Sequence, residues 1–174
     1  MWKVVDSTLT EEERWKLLNY TLHQYPDMIG VEHLDKLPQH KKLFDLVSQH
    51  YDLSSCKYVE QWHNTAHNSF YPQEHLDKDE ELWNLAGKVS LPLCSAVVYL
   101  KIKDLEGANL EISKDGHPID LDYMPKFTEI DIIVPEEGKV ALLDPGVWHR
   151  VSEFKAGFRV AMILNFWDKR LYKS

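Results

Sequence analysis

The chain has 174 residues, of which 44% are hydrophobic and 28% are charged. This composition is typical of a globular protein, and the length predicts a single domain, 1–174, with a sizeable hydrophobic core. The formal net charge is -8 and no basic stripe stands out, which argues against nucleic acid or an anionic membrane surface as the main partner.

The two cysteines and the apolar stretches bear on the cellular location. Cys56 and Cys94 form neither a CxxC pair nor a disulfide framework, so we predict reduced thiols. Residues 1–6 contain no long apolar run of the kind that marks a signal peptide. The apolar stretch at 91–100 has the length of a strand and is too short to span a membrane. These features predict a soluble, cytoplasmic protein.

Two helices are predicted in the N-terminal part. Residues 10–13 read Thr-Glu-Glu-Glu, a capping box that opens a helix, and Pro26 ends it. Helical spacing predicts a buried stripe formed by Trp15, Leu18, Leu22 and Tyr25. Pro38 suits the first turn of a second helix, in which one face carries Leu43, Val47 and Tyr51. We expect both stripes to pack in the core and assign no chemistry to this part.

The rest of the chain is rich in predicted strands. Runs of β-branched and aromatic residues predict strands at 57–62, around His75, and at 94–102, 109–113, 128–134, 139–143, 147–151 and 157–167. Segments 63–72 and 78–87 are predicted loops, the second ending near a short helical turn. The pattern predicts a mainly β fold, a double-stranded β-helix (jelly roll) with N-terminal helices packed on one face. The helical part would cover about 1–55 and the jelly-roll core about 56–168.

A His-x-Asp pair, His75 and Asp77, is the first candidate for chemistry. On an extended strand, residues two apart point to the same side, so an imidazole and a carboxylate would converge. His149 is the best candidate for a third ligand, because it follows the Asp-Pro-Gly turn at 144–146 and begins a strand. Two histidines and one carboxylate form the facial triad that binds Fe(II) and leaves coordination positions open.

Each of these residues also has a structural interpretation. An isolated His-x-Asp pair is most often a surface pair, and His149 could be a core histidine bonded to the backbone. Asp79 lies on the same strand side as Asp77, but we expect a solvated loop from position 78 onward. His63 and His67 are expected to face solvent or to border the substrate entrance. Trp62 and Tyr71 could pack in the core or line the pocket, and alternation points Trp148 away from the metal, into packing.

In this order, His75-x-Asp77, His149 and Arg159 resemble the HxD…H…R pattern of the Fe(II)/2-oxoglutarate-dependent dioxygenases, and within them the prolyl-hydroxylase-like branch. Arg159 follows His149 by ten residues (159 − 149 = 10), and the likeness covers about 58–168. The resemblance implies that His75, Asp77 and His149 hold Fe(II). It also implies that Arg159 pairs with the distal carboxylate of 2-oxoglutarate, a task that suits its planar, permanently charged group.

The resemblance extends to other candidate cofactor-binding residues. Tyr99 matches the tyrosine whose hydroxyl reaches the same carboxylate in the hypoxia-factor prolyl hydroxylases. Asn165 stands where those enzymes have Trp, and we count both Asn165 and Trp62 among the cofactor-binding candidates. Two departures are the Gly-Ala-Asn-Leu sequence at 107–110 in place of a double-glycine turn, and Ala161 in place of Ser or Thr.

Together these features predict an Fe(II)- and 2-oxoglutarate-dependent dioxygenase. It would use O2 to hydroxylate a C–H bond of a peptidyl residue, such as proline, or of a small molecule, with release of succinate and CO2. The alternative is a cupin-like metal-binding module without oxygenase activity, because the same ligands could hold Zn(II) or Ni(II). A non-catalytic interaction domain is a third hypothesis. Arg159 with Tyr99 separates the first two, since a metal module needs no carboxylate clamp. The oligomeric state stays open.

Overall fold

The computed structural model describes residues 1–23, 27–66, 74–115 and 127–172. Within these ranges the fold is mainly β, and its strands are β1 (Trp2–Asp6), β2 (Asp27–Gly30), β3 (Tyr58–Ala66), β4 (Cys94–Gly107), β5 (Leu110–Ser113), β6 (Ile130–Ile133), β7 (Lys139–Leu143), β8 (His149–Val151) and β9 (Phe154–Trp167). The helices are α1 (Glu11–His23), α2 (Pro38–Ser48), α3 (Glu80–Ala86) and a 3₁₀ helix (Val31–Lys36).

The strands form two antiparallel sheets. The larger sheet has the order β1-β7-β4-β9-β3-β2, and the smaller sheet has the order β6-β5-β8. β4 and β9 are each 14 residues long and pair at the centre of the larger sheet. A buried cluster joins the two sheets and contains Val97, Tyr99, Ala141, Leu143 and Ala161 of the larger sheet with Leu110, Ile112 and Ile133 of the smaller one. The smaller sheet therefore covers one face of the larger sheet.

The N-terminal helices cover the opposite face of the larger sheet. Side chains alternate along β9, so that one face presents Val160, Met162, Leu164 and Phe166 to the helices. These pack against helical residues that include Leu17, Leu18, Leu34, Leu43, Leu46 and Val47. This packing agrees with the predicted position of the helices on one face of the β structure.

Helix α1 has the predicted start but a different buried face. The Thr10 N–H donates to Glu13 Oε2 (2.9 Å) and the Glu13 N–H donates to Thr10 Oγ1 (3.2 Å), which completes the capping box. The predicted buried stripe is wrong at Trp15 and Leu22, which are 45% and 44% exposed. The buried residues are Leu17, Leu18 and Thr21. Trp15 instead lies under the Lys101 ammonium group, 5.4 Å from the ring centroid.

Helix α2 has the predicted start and the predicted buried residues, but it ends at Ser48, so Tyr51 lies beyond it. It begins at Pro38, and its inward face carries Leu43 and Val47, which have no exposed surface, while Tyr51 packs against the same core. Tyr25 and Pro26, which were expected to complete and end the first helix, lie outside the described residues. The pattern at helical spacing therefore locates both helices, although it gives the buried face of only one.

Strand β7 has the predicted bounds, and the other strands observed after residue 56 have shifted ends. β3 continues through 63–66, which were expected to be loop, and β4 and β9 are longer than predicted. Two strands were not predicted at all. β1 pairs with β7 and β2 pairs with β3, so both edge strands of the larger sheet come from the N-terminal part.

The charged segment after Asp77 forms helix α3, and the prediction of a solvated loop is wrong at its first residues. Asp79 is 3% exposed and caps the helix. Its Oδ1 accepts the Leu82 N–H (2.9 Å) and its Oδ2 accepts the Tyr172 N–H (2.9 Å). Gly87, in the left-handed region at φ 62°, ends the helix. Both carboxylate oxygens of Asp79 are thus engaged in holding the backbone.

Within the described ranges, every helix is too short or too polar to serve as a transmembrane span. Cys56 and Cys94 are free thiols in the interior, in agreement with the prediction. Burial raises the pKa of Cys56 to about 11 and raises the pKa of Cys94 further. Both side chains are therefore protonated thiols at neutral pH.

Candidate metal and carboxylate site

His75 and His149 face each other through their backbones. The His75 N–H donates to the His149 carbonyl (3.0 Å), and the His149 N–H donates to the His75 carbonyl (2.8 Å). The expected strand around His75 is reduced to this single bridge. The two imidazole rings lie with their centroids 4.3 Å apart. Main-chain hydrogen bonds thus set the spacing of the two histidines.

Asp77 completes a cluster with the two histidines. One ligand atom from each of His75, Asp77 and His149 can be chosen so that all three lie within 4.8 Å of one another. His149 is buried, while His75 and Asp77 are partly exposed. The side chain between them, Leu76, points the other way and packs with Trp148 and Phe127. Alternation of side chains therefore directs both His75 and Asp77 to one point.

The ring of His149 is held in a defined orientation. Its Nδ1 lies 2.9 Å from the carbonyl oxygen of Val147 and donates to it, because a carbonyl can only accept. Nε2 is then the nitrogen that can bind a metal ion. Burial lowers the pKa of His149, and the neighbouring His75 lowers it further, while Asp77 opposes the shift. Both effects favour the neutral imidazole that metal binding requires.

An ion-pair group holds the two ligand segments together from outside. Arg150, which follows His149, donates through Nη1 to Glu74, which precedes His75, at 2.5 Å. Its Nε donates to Glu111 on β5 at 2.6 Å. These contacts join the His75 segment, β8 and β5 beside the bridge between the histidines. No motif around Arg150 indicates this role.

The cluster lies in a cavity of about 470 Å³ between the two sheets. Its walls combine the candidate ligands with apolar and polar side chains: Trp62, His63, Asn64, Thr65, His75, Asp77, Val97, Leu110, His149, Val151, Arg159, Ala161 and Ile163. This volume falls in the range of small-molecule sites, about 300–1,000 Å³. The candidate metal ligands and Arg159 therefore share one binding space.

Arg159 is a buried cation whose side chain is held by neutral groups. It is 2% exposed and lies on the face of β9 that points away from the helices. Nη1 donates to the Ala108 carbonyl (3.1 Å) and Nη2 donates to Asn64 Oδ1 (2.6 Å). No acidic side chain among the described residues forms an ion pair with it, and its Nε–H has no partner there. Burial lowers the pKa of Arg159.

Tyr99 lies beside Arg159, with its ring centroid 6.0 Å from the guanidinium carbon. It has no exposed surface, and its hydroxyl has no hydrogen-bond partner within the described ranges. Burial raises the pKa of Tyr99 to about 12, so the hydroxyl is a donor at neutral pH. A buried unpaired hydroxyl and a buried unpaired guanidinium N–H on neighbouring side chains are donors that a carboxylate ligand could satisfy.

Solved structures share this arrangement of sheets and helices. The chain is similar to a Pseudomonas putida prolyl-4-hydroxylase, with a TM-score of 0.63 and 15% identity over 97% of this chain and 88% of that one. An oxidoreductase of the 2OG-Fe(II) oxygenase family from Burkholderia pseudomallei has a TM-score of 0.65 and 10% identity over 97% and 86%. HygX from Streptomyces hygroscopicus, with nickel and 2-oxoglutarate bound, has a TM-score of 0.63 and 15% identity over 95% and 81%.

The chain has the fold of the 2-oxoglutarate- and Fe(II)-dependent oxygenases. The resemblance seen in the sequence is therefore confirmed at the level of the fold, and it includes prolyl-hydroxylase structures. Neither a protein-family model nor a curated protein matches the sequence. At this level of identity, the activity must be argued from the side chains themselves.

In this oxygenase fold the remaining predicted residues occupy different places. Trp62 lines the cavity, as does the exposed His63, whereas His67 and Tyr71 lie outside the described residues. Asn165 is buried but does not line the cavity; its amide donates to Glu60 Oε2 at 3.3 Å. Glu60 is half-buried, and burial raises its pKa. Asn165 therefore belongs to a neighbouring polar contact within the oxygenase fold.

Two residues that contact Arg159 were missed by the sequence reasoning. Asn64 fell in the segment predicted as loop, although it follows the cavity-lining Trp62 by two positions and shares its side of β3. Ala108 acts through its carbonyl, which no side-chain pattern could reveal. The available signal was the alternation of side chains along a β3 that continues past residue 62. This signal could have found Asn64 but not Ala108.

Proposed function

We propose that the protein is an Fe(II)- and 2-oxoglutarate-dependent dioxygenase. It would hydroxylate a C–H bond of a peptidyl residue, such as proline, or of a small molecule. The observation that carries the proposal is Arg159, a buried cation without an acidic partner among the described residues, in the same cavity as the three-ligand cluster. Burying such a charge is costly unless a ligand compensates it. A protein that only bound a metal ion would gain nothing from it.

The donor set fits Fe(II). His75, His149 and Asp77 offer two imidazole nitrogens and one carboxylate oxygen. These atoms come from two backbone segments that lie side by side. This set occupies one side of a metal ion and leaves positions for other ligands. The fixed ring of His149 and the ion pairs of Arg150 supply the support around the ligands that metal sites depend on.

The donors of Arg159 and Tyr99 fit a carboxylate. The unpaired Nε–H of Arg159 and the unpaired hydroxyl of Tyr99 are both donors, and both are buried. 2-Oxoglutarate carries a second carboxylate for these donors and a 2-oxo acid group for a metal ion. The similarity to HygX, whose structure contains nickel and 2-oxoglutarate, supports this choice of cosubstrate, and the similarity to a prolyl-4-hydroxylase supports a prolyl substrate.

When bound, Fe(II) and 2-oxoglutarate would supply the oxidation of the substrate C–H bond by O2, with release of succinate and CO2. The side chains of this protein would bind and orient these two groups. His75, Asp77 and His149 hold the metal ion, while Arg159 and Tyr99 fix the second carboxylate. The apolar walls of Val97, Leu110, Ala161 and Ile163 would limit the contact of water with the reacting groups.

An anaerobic titration tests the proposal without knowledge of the substrate. Fe(II) and then 2-oxoglutarate are added to metal-free protein while the visible charge-transfer absorption is recorded. We expect a band that is lost in Asp77→Ala and weakened in Arg159→Ala, with Fe(II) binding retained in the second variant. Asp35→Ala removes an exposed carboxylate on the 3₁₀ helix and should leave the band unchanged.

Absence of the band in the unmodified protein would contradict the proposal. If the protein then bound Zn(II) tightly, the cupin-like metal-binding module would be the better description. Equal loss of Fe(II) and 2-oxoglutarate binding in Arg159→Ala would mean that Arg159 has a structural role. The titrations thus distinguish the role of the metal ligands from the role of Arg159 in binding the carboxylate.

Other features predicted from the sequence complete the proposal. We propose that 1–174 forms one domain, since both sheets contribute to one buried cluster, and that the two sheets constitute a jelly roll. A cytoplasmic location is supported by the two free, buried thiols. The net charge of -8 supports a partner other than nucleic acid.

A further inference from the structure

The orientation of Arg159 depends on two acceptors from separate parts of the chain. Nη2 donates to Asn64 Oδ1 (2.6 Å), and Nη1 donates to the Ala108 carbonyl (3.1 Å). Because a guanidinium group can only donate, Asn64 must turn its amide oxygen, and not its NH₂ group, toward Arg159. Both acceptors are uncharged, so they orient the cation without neutralising it.

Backbone contacts fix both acceptors. Asn64 lies opposite Ala161 on β9, within the continuous pairing of β3 and β9 that ends with Ala66 opposite Arg159. The Ala108 N–H donates to the Glu153 carbonyl (2.9 Å). Gly107, at φ 75°, allows this close approach, since a Cβ there would clash with the same carbonyl. Main-chain hydrogen bonds therefore hold in place both residues that accept from the guanidinium group.

After these two hydrogen bonds, Arg159 still has N–H donors for a ligand. Each Nη nitrogen of Arg159 uses one N–H on its protein acceptor and keeps a second one, and the Nε–H is unpaired within the described ranges. The Tyr99 hydroxyl adds a further donor beside them. These donors and the uncompensated charge match a carboxylate, which can accept two parallel hydrogen bonds from one guanidinium group.

We infer that Asn64 is a positioning residue that makes the cavity selective for dicarboxylic over monocarboxylic 2-oxo acids. It holds Arg159 in place through a neutral oxygen and so keeps the positive charge available for the second carboxylate of the cosubstrate. This inference rests on the proposed function and deepens it. An aspartate at position 64 would have nearly the same shape, but it would form a permanent ion pair with Arg159 and compete with the ligand.

The test compares two probes that differ in the second carboxylate. 2-Oxoglutarate and 2-oxobutanoate are titrated anaerobically into the Fe(II)-loaded protein, and the ratio of their dissociation constants is the selectivity. In Asn64→Asp we expect this selectivity to fall by roughly tenfold to a hundredfold, with Fe(II) affinity and 2-oxobutanoate affinity unchanged. Asn19→Asp makes the same substitution on an exposed position of α1, across the larger sheet, and should keep the selectivity.

A second variant tests the inference if Asn64→Asp does not fold. Asn64→Leu keeps the size of the side chain but removes the acceptor, and we expect it to lower the selectivity by roughly threefold to tenfold. Unchanged selectivity in folded Asn64→Asp, or in Asn64→Leu if Asn64→Asp does not fold, would overturn the inference alone. An unmodified protein that shows no preference for 2-oxoglutarate would overturn the proposed function as well as this inference.

Discussion

The two faces of the larger sheet differ in what their side chains achieve. On β9, the face toward the helices carries Val160, Met162, Leu164 and Phe166, which all lie in one apolar core. The opposite face of the same strand carries Arg159, Ala161, Ile163 and Asn165, and the first three of these residues line the cavity. One strand thus serves both the core and the candidate site.

Among the described residues, the face of the larger sheet that points away from the helices carries three buried polar atoms without a partner. Arg159 Nε, Tyr99 Oη and Asn165 Oδ1 are buried without a hydrogen-bond partner within the described ranges, and each such group costs about 1–3 kcal/mol. The helix-facing side of β9 carries only apolar side chains. The helix-facing side of β9 thus contributes only to an apolar core, whereas the opposite face of the sheet combines its own apolar cluster with buried polar groups. Substitutions on the helix-facing side should therefore lower the stability of the fold, whereas substitutions of the buried polar groups on the other face should lower ligand affinity and leave stability unchanged or higher.

The largest effect on stability is expected on the helix-facing side. Phe166 has no exposed surface and packs near Phe44, with ring centroids 6.0 Å apart. Phe166→Ala should lower the free energy of unfolding by about 3–5 kcal/mol, because it removes a large buried ring and leaves a cavity. Urea denaturation measures this change. Val134→Ala, at a position that is 70% exposed, is the control, and an equal loss in both variants would contradict the expectation.

On the cavity side, Arg159→Met should separate binding from stability. The affinity for 2-oxoglutarate should fall by roughly a hundredfold, since the charged hydrogen bonds to the second carboxylate are lost. The free energy of unfolding should stay the same or rise, because an apolar side chain replaces a buried unpaired charge. Calorimetric titration and urea denaturation measure the two quantities. Lys155→Met removes an exposed charge from the same strand and should change neither; marked destabilisation by Arg159→Met would argue for a structural role.

A smaller effect is expected for the ion pairs outside the cluster. Arg150→Gln removes the contacts to Glu74 and Glu111 and should weaken Fe(II) binding by roughly tenfold, because the two ligand segments lose their shared support. Competition with a chelator measures the affinity. Lys114→Gln breaks a more exposed ion pair with Asp131 in the smaller sheet and should have no effect. Equal affinities in the two variants would show that the histidine bridge suffices.

The smallest effect is a pH dependence from the helix-facing side. His40 is 3% exposed and its Nε2 lies 2.7 Å from Gln61 Oε1. Burial lowers the pKa of His40 below its ordinary value of 6.5 in the folded state. Its contribution to stability is therefore complete above pH 6.5 and is lost as the pH falls below that value, by at most about 1.4 kcal/mol per pH unit. His40→Gln should make the pH profile of urea denaturation flatter, and an identical profile would contradict this.

The sequence predicted which candidate site residues come together better than it predicted the structure around them. The ligand cluster and Arg159 could be recognised because their types and order carry the information. The buried face of α1 could not, since Trp15 and Leu22 are apolar and at helical spacing yet lie at the surface. Tertiary packing, which spacing does not contain, selected Leu17 instead. Asp79 is a different case, because Asp before a helix is a capping signal that could have been used.

Contacts between distant residues account for what the sequence could not show. Arg150 and Glu74 are 76 positions apart, and Arg159 and Asn64 are 95 positions apart. Only the register of the strands brings them together. The edge strands β1 and β2 were missed for the same reason, because they are defined by pairing with β7 and β3 more than by their own composition.

Under the proposed function, the backbone bridge between His75 and His149 determines how metal binding would depend on folding. Main-chain hydrogen bonds of a sheet form during folding whether or not an ion is present, so the metal-free chain can reach its native topology, unlike a zinc finger. A bound metal ion would then stabilise the folded state by mass action alone, adding about 2.7 kcal/mol to the free energy of unfolding when the free ion is a hundredfold above its dissociation constant. Chelation would lower the melting temperature while leaving a single cooperative transition, and the folded apoprotein could be recharged by simple addition of metal.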